Sequence, residues 1–486
     1  MKLSGLFVGI DVSETNIESF DIEIEGIKTD SRMTGEGDIF VCLNGTKRNG
    51  HGYIKEAIGN RAAVIVIEDK SYSGDFPYIR VCSTRKALAF LWNNLCCDPC
   101  KDMKLIGITG TNGKSSVAAM IGRILESAGK KSAVIGTLNA SLTTPDPWEL
   151  YPRLKELKDK GYEYVVMEAS SHALELEKLS PLKYEIGIFT NLTRDHLDFH
   201  KSMYAYAKAK GKLFESSRIS LYNIDDIYSS TVVQNINKYS YSYSLYREDA
   251  DYIAKRIKRS FEKQEFDLLS TGEIFHIESP LIGEYNVSNA LAAASCCRLL
   301  GIDGISIKKA LKSFCGIKGR MERVDIKSGE FYAFIDYAHT PDALMNTLLA
   351  LKEIKPEGSR LVCVFGCGGD RDKGKRAQMG EIASRIADFS IITSDNPRTE
   401  EPYSIIKDIV IGIKNDARYL VIADRRQAIR YAVHSAEKGD LLVFLGKGHE
   451  TYEIIGNTKS EFNESSIIQE ADKERIEIKG NEYYSC

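Results

Sequence analysis

Three features of the chain point to an α/β protein built in about three domains. Its 486 residues exceed the roughly 250–300 at which one hydrophobic core stops growing. Residues 104–129 read as a strand, a glycine turn and a helix. Short apolar runs then recur, and in the second half of the chain each passes straight into a polar segment carrying glycine, aspartate or histidine, the pattern of buried parallel strands with ligand-facing loops.

Taken in order, residues 1 to about 95 carry the runs DIFVCL (38–43) and AAVIVIE (62–68), separated by glycine-rich turns such as NGTKRNGHG (44–52). This is the pattern of a small α/β domain. A Cys/Asp/Pro stretch near 96–102 follows, and its Cys97/Cys100 pair lacks a second pair or a ligand-spaced histidine, so a linker is favoured over a zinc site. KLIGIT (104–109) opens the next unit. In the helix after it, Val117, Met120, Ile121, Ile124 and Leu125 share one face at 3.6 spacing, and Gly129 stands where a C-terminal cap belongs. YEYVVME (162–168) and EIGIFTNL (185–192) continue a parallel sheet with helices between its strands. Residues 215–280, rich in Tyr, Ser and charge, read as β-hairpins. A second α/β series follows KGRMERV (318–324), with strands in FYAFIDYAHT, RLVCVFGCGGDRD, FSIITSDNPRTEEP and DLLVFLGKGHE.

Composition narrows the function. The chain is 43% hydrophobic and 27% charged with a mean hydropathy of -0.24, which predicts folding throughout. Lys+Arg 65 against Asp+Glu 68 leaves a formal charge of -3, too balanced for a dedicated binder of nucleic acid or anionic membrane. The eleven cysteines are expected as reduced thiols, since a chain this long needs no staples. The N-terminal apolar run LSGLFVGI is too short to span a bilayer, and no later run approaches about 20 residues, so a cytoplasmic protein is expected.

In GITGTNGKSS (107–116) glycines turn the chain into a helix N-terminus, where free backbone N–H groups form an anion site. Lys114 adds a charge for β- and γ-phosphates, and Ser115 offers a hydroxyl to Mg²⁺. The strict G-x-x-x-x-G-K-[ST] pattern is broken by Ile108. Anions and other metal-holding groups are expected nearby: EASSH supplies Glu168, and TNLTRDHLDFH supplies Asp195, His196, Asp198 and His200 at the next strand end.

Together these residues resemble the Mur ligase family, the ATP-dependent amide-bond ligases of peptidoglycan precursor synthesis. The resemblance is carried by DSR (30–32), GDIFVCLNG (37–45), GTNGKSS (110–116), TTPDP (143–147), EASSHAL (168–174), TNLTRDHLDFH (190–200), YNVSNALAA (285–293), GRMERV (319–324), DYAHTPDAL (336–344), GGDRDKGKR (368–376), SDNPRTEEP (394–402) and GKGHETY (446–452), in the family's order over nearly the whole chain.

The resemblance implies a UDP-sugar-binding domain at 1–98, a central P-loop-type ATPase domain at 99–317 and a C-terminal Rossmann-like, amino-acid-binding domain at 318–486. It implies transfer of the ATP γ-phosphate to the D-glutamate of UDP-MurNAc-L-Ala-D-Glu and attack on the acyl phosphate by the amine of meso-diaminopimelate, in a monomer. Carried over by position, Gly110, Thr111, Asn112, Gly113, Lys114, Ser115 and Ser116 bind ATP, with Asn289, Arg320 and Asp336 at adenine, phosphate and ribose. Ser115, Glu168 and His196 hold two Mg²⁺ ions, completed by Lys210 carboxylated by CO₂. Lys114, Glu168, His196 and Lys210 are the expected catalytic set. Ser31, Thr143, Thr144, Ser170 and Lys178 contact the UDP-dipeptide. Arg371, Asp395, Asn396, Pro397, Arg398, Gly446 and Glu450 contact the amino acid, Glu450 suiting an ammonium. Within DNPR (395–398), Arg398 marks enzymes that read the far carboxylate of diaminopimelate, which a planar guanidinium binds with two parallel hydrogen bonds; lysine-adding relatives lack it. Departures from the family are Lys178, where an arginine is usual, a shortened segment 136–143 (GTLNASLT), and Asn49-Gly50 in place of Asp-Gly.

Overall fold

The protein is represented by a computed structural model that describes all residues except 46–47, 73, 138, 141, 235–238, 261 and 484–486. Thr46 and Lys47 of the glycine-rich turn, and Leu138 and Ser141 of the shortened segment, lie outside the described residues.

Three large sheets follow one another along the chain. The first comprises β1 (Val12–Thr15), β2 (Gly26–Lys28), β3 (Asp38–Val41), β4 (Val64–Ile67) and β5 (Tyr78–Val81) in the order β1-β5-β4-β3-β2. Every residue of β3, β4 and β5 is buried, as expected of apolar runs covered on both faces.

The second sheet comprises β6 (Lys104–Thr109), β7 (Ser132–Ile135), β8 (Tyr164–Glu168), β9 (Tyr184–Phe189), β10 (Ser217–Asn223), β11 (Tyr239–Ser244), β12 (Tyr252–Arg259), β13 (Gln264–Ser270) and β14 (Glu273–Ser279) in the order β14-β13-β12-β11-β10-β9-β6-β8-β7. The helices Lys114–Ser127 and Glu284–Leu299 pack on one face and Pro147–Asp159 and Met203–Glu215 on the other. The predicted apolar face of Lys114–Ser127 is fully buried, and Gly129 ends that helix with φ +71, its N–H donating to the Glu126 carbonyl. The hairpin expectation for 215–280 holds only for its second half. β10 and β11 are parallel internal strands, because Ile219, Leu221 and Tyr243 lie in the same core as β6 and β9. Only β12, β13 and β14 form an antiparallel meander. Cys100 packs against the central core, which pushes its thiol up to about 12, and Cys97 is exposed, as in a linker.

The third sheet comprises β15 (Glu322–Val324), β16 (Tyr332–Asp336), β17 (Leu361–Phe365), β18 (Phe389–Ile392), β19 (Tyr419–Val421) and β20 (Leu441–Leu445) in the order β15-β16-β20-β17-β18-β19. All neighbours are parallel except the β15–β16 pair. A hairpin of β21 (Tyr452–Ile455) and β22 (Thr458–Glu461) and a final helix, Glu464–Tyr483, complete the chain. The carboxyl ends of the central sheet face the third sheet across a cleft. Asn112 donates to Asp342 over 3.3 Å, Arg194 lies 3.8 Å from Asp372, and Arg259 donates to Glu353 over 2.9 Å. No helix among the described residues is long and apolar enough to cross a membrane.

Candidate active site

The site is built from the β6 loop outward. After Thr109 the chain turns through Gly110 and enters the helix from Gly113, whose φ of +86 favours glycine. A Cβ at Gly113 would lie 2.5 Å from the Asn289 Oδ1 atom, so the nearness of the 284–299 helix requires glycine as well. The strand-end segment after β9 holds the loop in shape. The N–H of Thr111 donates to the Asn191 carbonyl over 2.8 Å, that of Asn112 to Asn191 Oδ1 over 2.9 Å, and the Thr190 hydroxyl donates to the Asn112 carbonyl over 2.6 Å. Lys114 folds back, its Nζ donating to the Gly110 and Thr111 carbonyls over 2.9 Å each. The loop is therefore shaped before any anion arrives.

Glu168, at the end of β8, faces that loop with its side chain buried. Its Oε1 accepts from the Ser115 hydroxyl over 2.9 Å and from the Thr137 N–H over 2.9 Å; its Oε2 accepts from Ser115 at 3.0 Å and from the Thr137 hydroxyl at 3.3 Å. Lys210 projects from the 203–215 helix into the same region, 1% exposed, donating to the Gly110 carbonyl over 2.7 Å and lying over the Tyr206 ring. Burial, with Lys114 nearby, holds its amine well below the ordinary lysine range. His196, at a left-handed φ of 53, has its ring against His172, and burial lowers it to about 4, so it is neutral near pH 7. The Ser115 hydroxyl and the Glu168 carboxylate lie in contact, and His196 lines the same cavity; the two oxygen donors fit a hard divalent cation.

The cleft opens between this constellation and the third sheet as a cavity of about 260 Å³. Thr111, Asn112, Gly113, Lys114, Ser115, Ser116, Thr143, Glu168, Asp195, His196, Asn289, Arg320 and Asp336 all line it, so thirteen of the predicted residues converge. Asp336, at the end of β16, accepts the N–H groups of Met321 and Ala338 over 2.6 and 2.9 Å, and burial raises its carboxyl. Arg320 lies over the Tyr337 ring, 4.6 Å from its centre.

A second cluster lies beyond the ends of β17, β18 and β20. Asp395 is buried with its carboxylate against Gly446, where φ +112 and the lack of space for a Cβ both require glycine. Asn396 donates its amide N–H to Glu450 over 2.8 Å, and Arg398 donates to the Gly369 carbonyl over 2.8 Å. Burial, reinforced by Asp395, raises the Glu450 carboxyl. Pro397 is buried, and Arg371 is exposed on the neighbouring 368–371 loop. The turn at Gly319, one residue before Arg320, packs against the backbone of Gly448 and His449, and the Tyr337 and His449 rings lie 5.1 Å apart, which joins the two clusters.

Comparison with known proteins gives a single direction. Family models described as the Mur ligase family catalytic domain, the Mur ligase middle domain and the Mur ligase glutamate ligase domain match residues 23–92, 108–297 and 319–448. The chain belongs to the Mur ligase family. A relative from Clostridium perfringens, named UDP-N-acetylmuramoyl-L-alanyl-D-glutamate--2,6-diaminopimelate ligase, is 43% identical over 96% of this chain and 99% of its own. A protein of the same name from Syntrophomonas wolfei is 39% identical over 97% of this chain and 99% of its own. A solved structure of that name superposes with a TM-score of 0.70 at 32% identity, covering 98% of this chain and 99% of that one.

Other predicted residues of this Mur ligase lie outside the cavity lining. Thr144 donates to the Glu168 carbonyl over 2.8 Å and contacts Ser170, while Lys178 is paired with Asp146 at 2.6 Å. Ser31 sits in the first domain, its hydroxyl donating to Glu56 over 2.7 Å. Sequence reasoning missed the supports. Thr137, which holds both oxygens of Glu168, follows an unremarked strand; Asn191 and Lys447 lay inside quoted motifs without a role. Arg425, buried, donates to the Ser394 and Leu445 carbonyls at the ends of β18 and β20 and to Glu464, and no motif singled it out.

Proposed function

We propose that the chain joins meso-diaminopimelate to the D-glutamate of UDP-MurNAc-L-Ala-D-Glu, consuming ATP and releasing ADP and phosphate in the cytoplasm. The observation that carries this reading is the pairing of a phosphate loop and buried carboxylate on one side of the cleft with a C-terminal cluster of two acids, Asp395 and Glu450, and two arginines, Arg371 and Arg398, on the other. Acids match ammonium groups and guanidinium groups match carboxylates, so the cluster is complementary to a diamino dicarboxylate. The names carried by relatives that align across the chain support the same substrates.

In this reading the N–H groups from Gly113 to Ser116, at the start of the helix, hold the triphosphate together with Lys114, the Thr111 and Asn112 N–H groups being taken by Asn191, while Asn289, Arg320 and Asp336 hold adenine, phosphate and ribose. The D-glutamate carboxylate takes the γ-phosphoryl group, ADP leaves, and the amine attacks the acyl carbon and expels phosphate. A carboxylate is inert to amines near neutral pH, so phosphorylation supplies the leaving group. Ser115 and Glu168 would hold one Mg²⁺, and His196, Glu168 and a carbamylated Lys210 a second. Bound magnesium would neutralise charge between the two anions. A lysine depressed by burial exposes the neutral amine that CO₂ needs, which supports Lys210 as the carbamylated residue. Ser31, Thr143, Thr144, Ser170 and Lys178 would contact the UDP-dipeptide. The domain boundaries we assign are 98/99, between the helix Thr84–Leu95 and β6, and 317/318, ahead of β15.

An ADP-release assay comparing meso-diaminopimelate, L-lysine and ornithine tests this. ADP should form only when UDP-dipeptide and an amino acid are both present, and far faster with meso-diaminopimelate than with L-lysine or ornithine. Equal turnover with L-lysine would overturn the substrate reading, and ADP release indifferent to any amino acid would overturn the ligase reading.

A further inference from the structure

Lys447 follows Gly446 in the loop after β20 and is 0% exposed. Its Nζ donates to Asn396 Oδ1 over 3.0 Å and to the Tyr452 carbonyl over 3.0 Å, and it lies 5.3 Å from the centre of the Phe462 ring. Packing does not explain a lysine here. An apolar chain of equal length would fill the space without desolvating an ammonium, and such replacements are often neutral or stabilising. The bond to Asn396 has a directional consequence. Asn396 Oδ1 also accepts the Ile454 N–H over 2.9 Å, so two donors meet the oxygen end of the carboxamide. The amide nitrogen is thereby turned toward Glu450, to which it donates over 2.8 Å. Were the amide flipped, its oxygen would face the Glu450 carboxylate and its nitrogen would face two donors.

We propose that Lys447 is a positioning residue of the amino-acid site, locking the Asn396 carboxamide with its nitrogen toward Glu450 so that both side chains present a fixed face to the incoming amino acid. The inference rests on the proposed function, since it takes Asn396 and Glu450 as the surfaces that meet that substrate. Lys447 itself touches neither the phosphate loop nor the cavity that would hold ATP, so its influence falls on one substrate of three.

The test is steady-state kinetics of the full-length protein by ADP release, varying each substrate with the other two saturating, beside thermal melts. Lys447→Met should raise KM for meso-diaminopimelate at least tenfold while KM for ATP and for the UDP-dipeptide stays within twofold. Asn396→Asp is the second variant. One carboxylate oxygen would keep Lys447 and the Ile454 N–H, and the other would confront Glu450, so the same selective tenfold rise is expected. An unchanged amino-acid KM in either folded variant overturns the lock, as does a parallel rise in all three KM values with a lowered melting temperature, the mark of a merely structural role. Wild-type protein that adds a different diamino acid overturns the substrate reading alone, and the Lys447 effect is then read on that amino acid's KM. Wild-type protein with no amino-acid-dependent ADP release overturns both.

Discussion

Replacing Glu168 by glutamine separates folding from chemistry at the centre of the cleft. The amide is isosteric, and the donors around it dictate its orientation. At the Oε1 position the Thr137 N–H can only donate, so the glutamine carbonyl must sit there. The new NH₂ then takes the Oε2 position, where the Thr137 and Ser115 hydroxyls can turn to accept. The contacts survive with one charge-assisted set weakened, so the loss of stability is about 1 kcal/mol. For a domain of this size that is a fall of about 2–4 °C in Tm. Chemistry loses a full negative charge where a divalent cation would bridge two anions. Removing one such electrostatic support lowers kcat by about 10²–10³-fold, or about 2.7–4 kcal/mol. The measurements are a thermal melt and the ADP-release assay on Glu168→Gln beside wild type, over a magnesium titration. Retention of kcat within about threefold would refute the role given to Glu168, and a collapse of Tm would show that its four hydrogen bonds serve the fold instead.

Arg398→Ala should lower kcat/KM for meso-diaminopimelate about 100-fold with little change for L-lysine, and Arg398→Lys should fail to restore it, because a point charge cannot match a carboxylate with two parallel bonds; parallel kinetics with both amino acids decide. Gly113→Ala places a Cβ 2.5 Å from Asn289 Oδ1 at φ +86, so calorimetry should find ATP affinity reduced at least tenfold, with about 1–2 kcal/mol of backbone strain. Arg376 is 0% exposed and donates to Glu400 and to Asp408; Arg376→Met removes these hydrogen bonds and leaves Glu400 with Lys373 at 3.2 Å, and it should lower stability by about 1–3 kcal/mol in urea unfolding. The hydrogen bond from Arg376 holds Glu400 down at about 2 against an ordinary 4.5. A depressed carboxyl contributes stability that is complete above pH of about 5 and is lost as pH falls toward 2, so acid titration of unfolding should show a shallower limb in Arg376→Met than in wild type.

The parts of this protein legible in one dimension are those whose physics is local. A glycine turn, a lysine and a hydroxyl in succession announce an anion site, because all its backbone donors come from one loop and one helix start. Apolar runs such as KLIGIT and LLVFL announce buried strands because both their faces are covered. The first half of the 215–280 stretch departs from the hairpin expectation for the complementary reason: alternating Tyr, Ser and charge suits a hairpin or an internal parallel strand equally, and only the core that receives Ile219 and Tyr243 chooses between them. Tertiary structure alone decided which distant groups would meet. Lys210 reaches the Gly110 carbonyl 100 residues away, Thr190 braces Asn112 from 78 residues on, and Lys447 turns an amide 51 residues earlier. No spacing rule encodes these contacts. Each is set by the order in which parallel strands lie beside one another, and that order follows from burying whole faces of a sheet rather than from any neighbouring pair of residues.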